Sequence, residues 1–469
     1  MLPRSLARSK GALGFALTLC SCGAKPSAEP APAGPATAVP QAAGETAPPV
    51  VTPPPPEPTA IENDASRAAH LHVQTRAAGS ALPARDDVPY QPIERAKAAL
   101  QHFHTALREL EGGRDADGKV RVLVYGSSSV AVDRYTGYLR GYLQQRFGDG
   151  GIGFVAAAPL WRWHRHNEVA LTSTKGWSTE HAQKKTTHLG GHLGLLGAAT
   201  YAKRKRSSTI IRGGTPESFT DYTDSDRVTL HYLEQPKGGR FTVELGDRKL
   251  RTVPTRGNAV VAKQLEVPKR DGPLPPLHVV LQGDGEVALL GASFERDEPG
   301  VVVDALGIGG TRAANMLAWD EPEWATAVAA RTADLWVLAY GANECIDEDE
   351  DIEVYRNNLQ RVLLRLHTAA PDASCVLVGP VDFPVQDPET QLWGPRARLS
   401  QIIEIQRELA GTQGCGFFDT RAWMGGEGSM DRWVVAELAK ADHLHFTKLG
   451  YLHLGRVLAD ALMYDLDAG

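Results

Sequence analysis

Apolar positions recur at helical spacing through IERAKAALQHFHTALREL (93–110), which predicts an amphipathic helix. A continuous apolar run follows, VRVLVY at 120–125, of the kind that forms a strand buried on both faces. Next, Tyr135, Tyr138, Leu139, Tyr142 and Leu143 fall at i, i+3, i+4, i+7 and i+8, and predict a helix with one apolar face. That helix should end at GDGGIG (148–153). The stretch formally satisfies GxGxxG. A dinucleotide fingerprint, however, follows a strand and opens a helix. This one closes a helix and reads as a glycine-rich stop and turn.

From about 160 to 298 the period changes to two: Val228, Leu230, Tyr232; Phe241, Val243, Leu245; Leu277, Val279, Leu281. Turn residues separate these runs (EQPKGG, LGDRK, QGDGE), the signature of an antiparallel sandwich. From 301 strand and helix patterns alternate again. VVVDALG is a strand and TRAANML begins a helix. DLWVLAY (334–340) is a strand, and 351–368 a helix with Ile352, Tyr355, Leu359, Val362 and Leu366 on one face. SCVLVGP is a strand, ARLSQIIEIQRELA a helix and GFFDT a short strand, and the last helix begins near Lys448. Five apolar strands alternating with helices predict a five-stranded parallel sheet covered on both faces, with the sandwich inserted after its first strand. In such α/β sheets, sites form at the carboxyl ends of the strands.

Composition adds an address. The chain has 469 residues, 42% of them hydrophobic and 23% charged, enough for more than one core. Its net charge of −6 supplies no global field for nucleic acid. The one basic run, Lys203 to Arg206, reads as a solvated loop. Arg4, Arg8 and Lys10 precede the apolar GALGFALTL, too short to span a bilayer. LCSC follows. Leu19, three positions before Cys22 with small Ser21 between, resembles a bacterial lipobox. The resemblance implies cleavage before Cys22 and lipidation of its thiol, hence signal peptide 1–21 and a membrane partner through the lipid. Gly23 follows, without the Asp of inner-membrane retention, so the implied place is the outer membrane, facing the periplasm. A plain secretory signal is the alternative; either one exports the chain. Residues 24–60 are nearly all Ala, Pro, Gly, Thr and Glu, and residues 22–85 are expected to be a disordered tether. The folded part then divides into 86–159, the sandwich 160–298, and 299–469.

Three further cysteines remain, Cys345, Cys375 and Cys415, with no CxxC pair for a thiolate zinc site. Cys375 and Cys415 each open an apolar segment. If those strands are parallel neighbours, the two can bridge.

The predicted strands end in distinctive residues. The first ends in YGSSS, the second in LGIGGT with Gly307, Gly309 and Gly310, and the third in YGANE with Asn343. Just before the final helix stands ADHLHFTKLGY, with Asp442 and His445. A serine hydroxyl is a weak nucleophile without a base. An imidazole can take its proton, and a carboxylate three residues earlier can hold the imidazole's tautomer. Glycine backbone N–H groups and an Asn amide can meet developing oxyanion charge.

This order of residues resembles the SGNH (GDSL-type) hydrolases, and GSSSVAVDRYTGYLRGYLQQRFGDGGIGF is similar to the first block of the peptidoglycan O-acetylesterases. AYGANE and FFDTRAWMGGEGSMDRW…DHLHFTKLGY resemble their later blocks. The likeness covers roughly 118–160 and 300–465. It implies a three-layer, flavodoxin-like α/β domain carrying a carbohydrate-binding-like β-sandwich insert. Position by position it implies Ser128 as nucleophile with Asp442 and His445. Its oxyanion hole is the Ser128 N–H, Gly310 and Asn343, and Asp133 is the block's trailing Asp. Ser127 stands where the family has Asp, and Ser129 where the acetylesterases have His.

The implied reaction is removal of O-acetyl groups from a polysaccharide, most of all peptidoglycan, with no cofactor and no metal. Two alternatives stay open: transfer of acetyl groups to glycan hydroxyls by the same residues, and a decayed wall-binding lipoprotein. Other signals are set aside. His164, His166, His181, His188 and His192 lack carboxylates at metal-ligand spacing. Trp161, Trp163 and Trp177 are either sugar platforms or core residues. The acidic IDEDEDIE (346–353) caps a helix N-terminus.

Overall fold

The computed structural model describes residues 63–76, 89–183, 188–215, 218, 221–268 and 272–468. The lipobox, Cys22 and the proline-rich segment lie outside them. No helix among the described residues is long and apolar enough to cross a membrane.

Five strands form one parallel sheet: β1 (Lys119–Gly126), β2 (Gly300–Gly307), β3 (Leu335–Ala339), β4 (Ser374–Val378) and β5 (Gly416–Phe418), in the order β2-β1-β3-β4-β5. Gly126 pairs with Gly307 on one side and with Ala339 on the other. The last residues of β1, β2 and β3 are thus in register, and the loops that leave them start side by side.

Each strand alternates between two cores. Val122 and Val124 face one layer, built from α1 (Asp64–Arg76), α2 (Gln101–Glu111), α3 (Tyr135–Phe147) and α7 (Lys448–Ala468). Leu123 and Tyr125 face the other, with α4 (Glu321–Ala330), α5 (Ile352–Ala369) and α6 (Ala397–Thr412). Helix α3 was expected to bury one face. It is buried nearly all round, because it lies between β2, α1 and α7. Asp320 caps α4 by accepting from the Glu323 N–H, after a short 3-10 turn at Ala313–Ala318 where a regular helix was expected. The acidic run behaves as read: Asp351 caps α5, and Asp347 pairs with Arg312.

Two expectations are corrected. Residues 64–76, placed within the tether, form α1. Asn63 accepts the Ser66 N–H at its start, and the helix is fixed by polar side chains: Ser66 bonds the Tyr142 hydroxyl at 2.9 Å, and His70 bridges Tyr138 (2.7 Å) and Asp460 (2.8 Å). The antiparallel region also begins earlier than 160. Gly153–Val155 pairs with Val287–Glu295, and the Phe154 N–H reaches back to Asp304 on β2.

Two antiparallel sheets make the insert. One is built around Arg227–Glu234 and Val287–Glu295, the other around Leu277–Leu281 and Arg240–Leu245. Val228, Leu230, Phe241, Val243, Val279 and Phe294 close the core between them. The insert is not a separate bead. Leu189, Leu193, Leu195 and Leu196 pack with Trp319 and Trp324 in the α4 layer, and the Tyr125 hydroxyl donates to the Leu195 carbonyl at 3.2 Å. Cys375 and Cys415, opening neighbouring β4 and β5, are disulfide-bonded, while Cys345 is free and buried.

Candidate active site

Beyond Gly126 the chain turns at Ser127 and makes one helical turn, Ser128–Ala131, closed by the Ala131 N–H on the Ser127 carbonyl at 3.0 Å. This turn lies flat on the end of β2. A Cβ at Gly307 would stand 2.2 Å from the Ala131 nitrogen, so only glycine admits the contact. The Ser128 hydroxyl is thereby aimed at the loop that precedes α7.

There, Ser128 Oγ is 3.0 Å from His445 Nε2, and His445 Nδ1 is 2.9 Å from Asp442 Oδ2. The other oxygen of Asp442 accepts the backbone N–H groups of His445 (2.9 Å) and Leu444 (3.1 Å). Partial burial pushes this carboxyl's pKa up, but those hydrogen bonds and the imidazole outweigh it and hold the pKa below the usual value. An ionised carboxylate only accepts, so the proton sits on His445 Nδ1 and the Nε2 lone pair faces Ser128. That is the arrangement a general base requires.

Gly310 and Asn343 stand on the loops that leave β2 and β3, whose ends are in register with that of β1. Gly310 has φ +77°, a conformation natural to glycine. Asn343 Nδ2 donates to the Thr311 carbonyl at 2.8 Å, which fixes the amide and leaves its second hydrogen for a ligand. Beside Ser128 lies a cavity of about 50 Å³, lined in part by Ser129, Tyr135, Pro380 and Leu454. A larger one of about 860 Å³, between the insert and α4, contains neither Ser128, Asp442 nor His445.

Several residues at the site were not foreseen. Glu344, the last letter of YGANE, is buried and accepts from the Ala313 N–H (2.8 Å) and the Gly341 N–H (3.0 Å), lacing the second loop to the third. Burial pushes its carboxyl up. The motif contained it, and a buried carboxylate beside two glycine loops was the available signal. The insert also reaches the site. Gln183 donates to the Gly310 carbonyl at 2.8 Å, Trp161 lies against Gly309, and the Arg165 N–H bonds the Ala131 carbonyl at 3.1 Å. No periodicity in these loops pointed there.

Asp133 sits apart from the reacting groups, fully buried, with φ +46°. It accepts from Thr136, Arg140 and the Asn167 N–H. Of the insert's histidines, His166 lies near Asp133, His188 bonds Glu286 and His192 bonds Glu323, so they do not converge. Trp177 donates to the Ser208 carbonyl against the sandwich core.

Residues 272–452 match the model of the GDSL-like lipase/acylhydrolase family. The match includes Gly310, Asn343, Asp442 and His445 and begins after Ser128. No curated protein matches the sequence. Among solved structures, a peptidoglycan O-acetylesterase is similar with a TM-score of 0.66, at 23% identity, over 80% of this chain and 98% of that one. An acetyl xylan esterase (17% identity, 34% of this chain and 78% of that one, TM-score 0.26) is more distant. So is a family two carbohydrate esterase from Clostridium thermocellum (10%, 62% and 99%, TM-score 0.27). The first of these likenesses establishes the shared fold. Residues 272–452 are therefore similar to the GDSL-like lipase/acylhydrolase family, and the chain shares the fold of the first of these structures.

Proposed function

We propose that the protein is a serine esterase that removes O-acetyl groups from a cell-wall polysaccharide, peptidoglycan foremost. The observation that carries this reading is the unbroken chain Ser128–His445–Asp442, opening beside Gly310 and Asn343. Ser128 Oγ attacks the acetyl carbonyl as its proton passes to His445 Nε2. The carbonyl oxygen takes the negative charge, met by the Ser128 and Gly310 N–H groups and the free Asn343 amide hydrogen. The intermediate collapses, the C–O bond to the sugar breaks, and His445 returns the proton to the leaving sugar oxygen. Water, deprotonated by His445, then attacks the acyl-serine; the bond to Ser128 Oγ breaks, His445 returns the proton to that oxygen, and acetate leaves.

A small acyl group fits the narrow cavity beside Ser128. The polysaccharide comes from the likeness to the peptidoglycan O-acetylesterase, and the export expected from the N-terminus would place the protein with the wall. Chromogenic acetate ester and O-acetylated peptidoglycan, tested against acetylated xylan, decide the matter. Ser128→Ala should lower kcat about a thousandfold or more with an unchanged unfolding midpoint. Equal rates for wild type and variant would remove the nucleophile. Acetate released faster from xylan than from peptidoglycan would move the substrate.

A further inference from the structure

Two aromatic residues stand on loops tied to different members of the site, one to the glycine loop and one to the imidazole loop, and neither is used by the chemistry above. On the oxyanion side, the loop around Trp161 comes from the insert, fixed to the nucleophile turn through Arg165 and to the glycine loop through Gly309. Two residues along, Trp163 is 58% exposed, with the Arg162 guanidinium lying 4.6 Å from its ring centroid. Among the described residues it is the one Trp that is exposed. On the imidazole side, the hairpin Val385–Gln386/Trp393–Gly394 lays the half-buried Trp393 flat on His443, with ring centroids 3.9 Å apart and planes 22° from parallel. His443 stands between Asp442 and His445 in a left-handed conformation, φ +53°, which a non-glycine residue adopts at a cost. It is held there by Asp431 at 3.0 Å, by the Ala441 carbonyl and by the Trp393 ring.

An exposed indole ring left bare in water is unfavourable, and stacking on a flat apolar face offsets that. A pyranose ring offers such a face on its C–H side, and its hydroxyls suit the Arg162 and His443 edges. A platform on each of these two loops matches a chain of sugars rather than a single one. From this we propose that Trp163 and Trp393 are the sugar-stacking platforms of a groove that lays a polysaccharide strand across Ser128. The inference rests on Ser128 being the nucleophile of an esterase. It adds that the enzyme engages residues within a strand, one platform on either side of the acetylated sugar. The insert then supplies half of the groove.

The experiment compares Trp163→Ala and Trp393→Ala on two substrates, a chromogenic acetate ester and O-acetylated peptidoglycan strands. Each variant should lose about 3- to 10-fold more kcat/KM on the strands than on the small ester, with the excess in KM. Trp393 lies near His445, and the small ester measures any disturbance of the base. Equal losses on both substrates, or none on the strands, would overturn the platforms. A parallel binding assay uses Ser128→Ala protein and sedimented peptidoglycan, with and without each Trp substitution. It reads the platforms without turnover, so the nucleophile and the groove can fail separately. An undiminished affinity in the Trp variants would likewise dismiss the groove.

Discussion

Two aspartates flank the nucleophile turn and have opposite surroundings. Asp442 sits on a surface loop with its side chain 49% exposed, and every hydrogen bond shown to it comes from within three residues of chain. Asp133, five residues after Ser128, is fully buried and collects partners from α3 and from the insert: Thr136, Arg140 and Asn167. Arg140 in turn reaches Glu168 at 3.3 Å and the Val303 carbonyl on β2. One carboxylate holds an imidazole that, in the proposed mechanism, meets substrate and water. The other joins the insert to the sheet from below. The same side chain does chemistry where its neighbours are local and solvent is near, and does construction where its neighbours are distant in sequence and solvent is absent.

The sharpest way to break that contrast is to remove Arg140. Its loss leaves Asp133 and Glu168 buried without their cation, and truncating one partner of such a cluster costs about 3–5 kcal/mol. Arg140→Ala should lower the unfolding free energy by that amount in a urea titration, with the ester rate per folded molecule reduced much less. A change below about 1 kcal/mol would mean that the junction is held by the leucine contacts instead.

Asp442→Asn is the converse, with a smaller expected free-energy effect. The amide cannot favour the imidazolium as a carboxylate does, and the rate should fall about a hundredfold, or about 2.7 kcal/mol. Stability should hardly move, since the group is half exposed and its pairing is screened. A loss of folding comparable to that of Arg140→Ala would erase the distinction between the two aspartates.

The split between local and distant partners also sets what the sequence discloses. The parallel sheet is legible because buried strands are continuous apolar runs, and its ends because Gly, Ser and Asn interrupt those runs abruptly. Asp442 and His445 are legible for the same reason as their chemistry, a spacing of three along one loop. Gln183 and Arg165 are not, and Trp161 is singled out without its contact to Gly309, since each meets the site through a fold-level contact and lies in a loop with no period. The Asp133 cluster is hidden because charged residues in sequence read as solvated; only burial on both sides reveals Arg140 as structural. Helix α1 escapes because, among its described residues, only Ala69 and Val73 are buried apolar side chains, too few for a periodic stripe. Ser66 and His70 bury against tyrosines, which a hydrophobic pattern does not register.

Acid separates the regions more gently. Burial depresses the pKa of His166 from 6.5 to about 3, with Asp133 opposing and Arg140 and His164 adding to the depression. Burial likewise takes His231 to about 4, with Arg331 adding to it. Both are neutral in the folded protein and protonate more readily once unfolded. Their contribution is therefore complete above pH 6.5 and declines as pH falls from there through the folded values. Each histidine costs about 1.4 kcal/mol per pH unit in that window. Asp442, held below 3.8, contributes fully above that value, and its contribution is lost as pH falls below it. Urea titrations from pH 7 to 4 should show stability falling, with proton uptake on unfolding approaching two from these groups. His166→Asn should flatten the slope by about one proton. If the slope is unchanged, His166 is not held neutral at the junction, and the buried cluster draws nothing from its exclusion of charge.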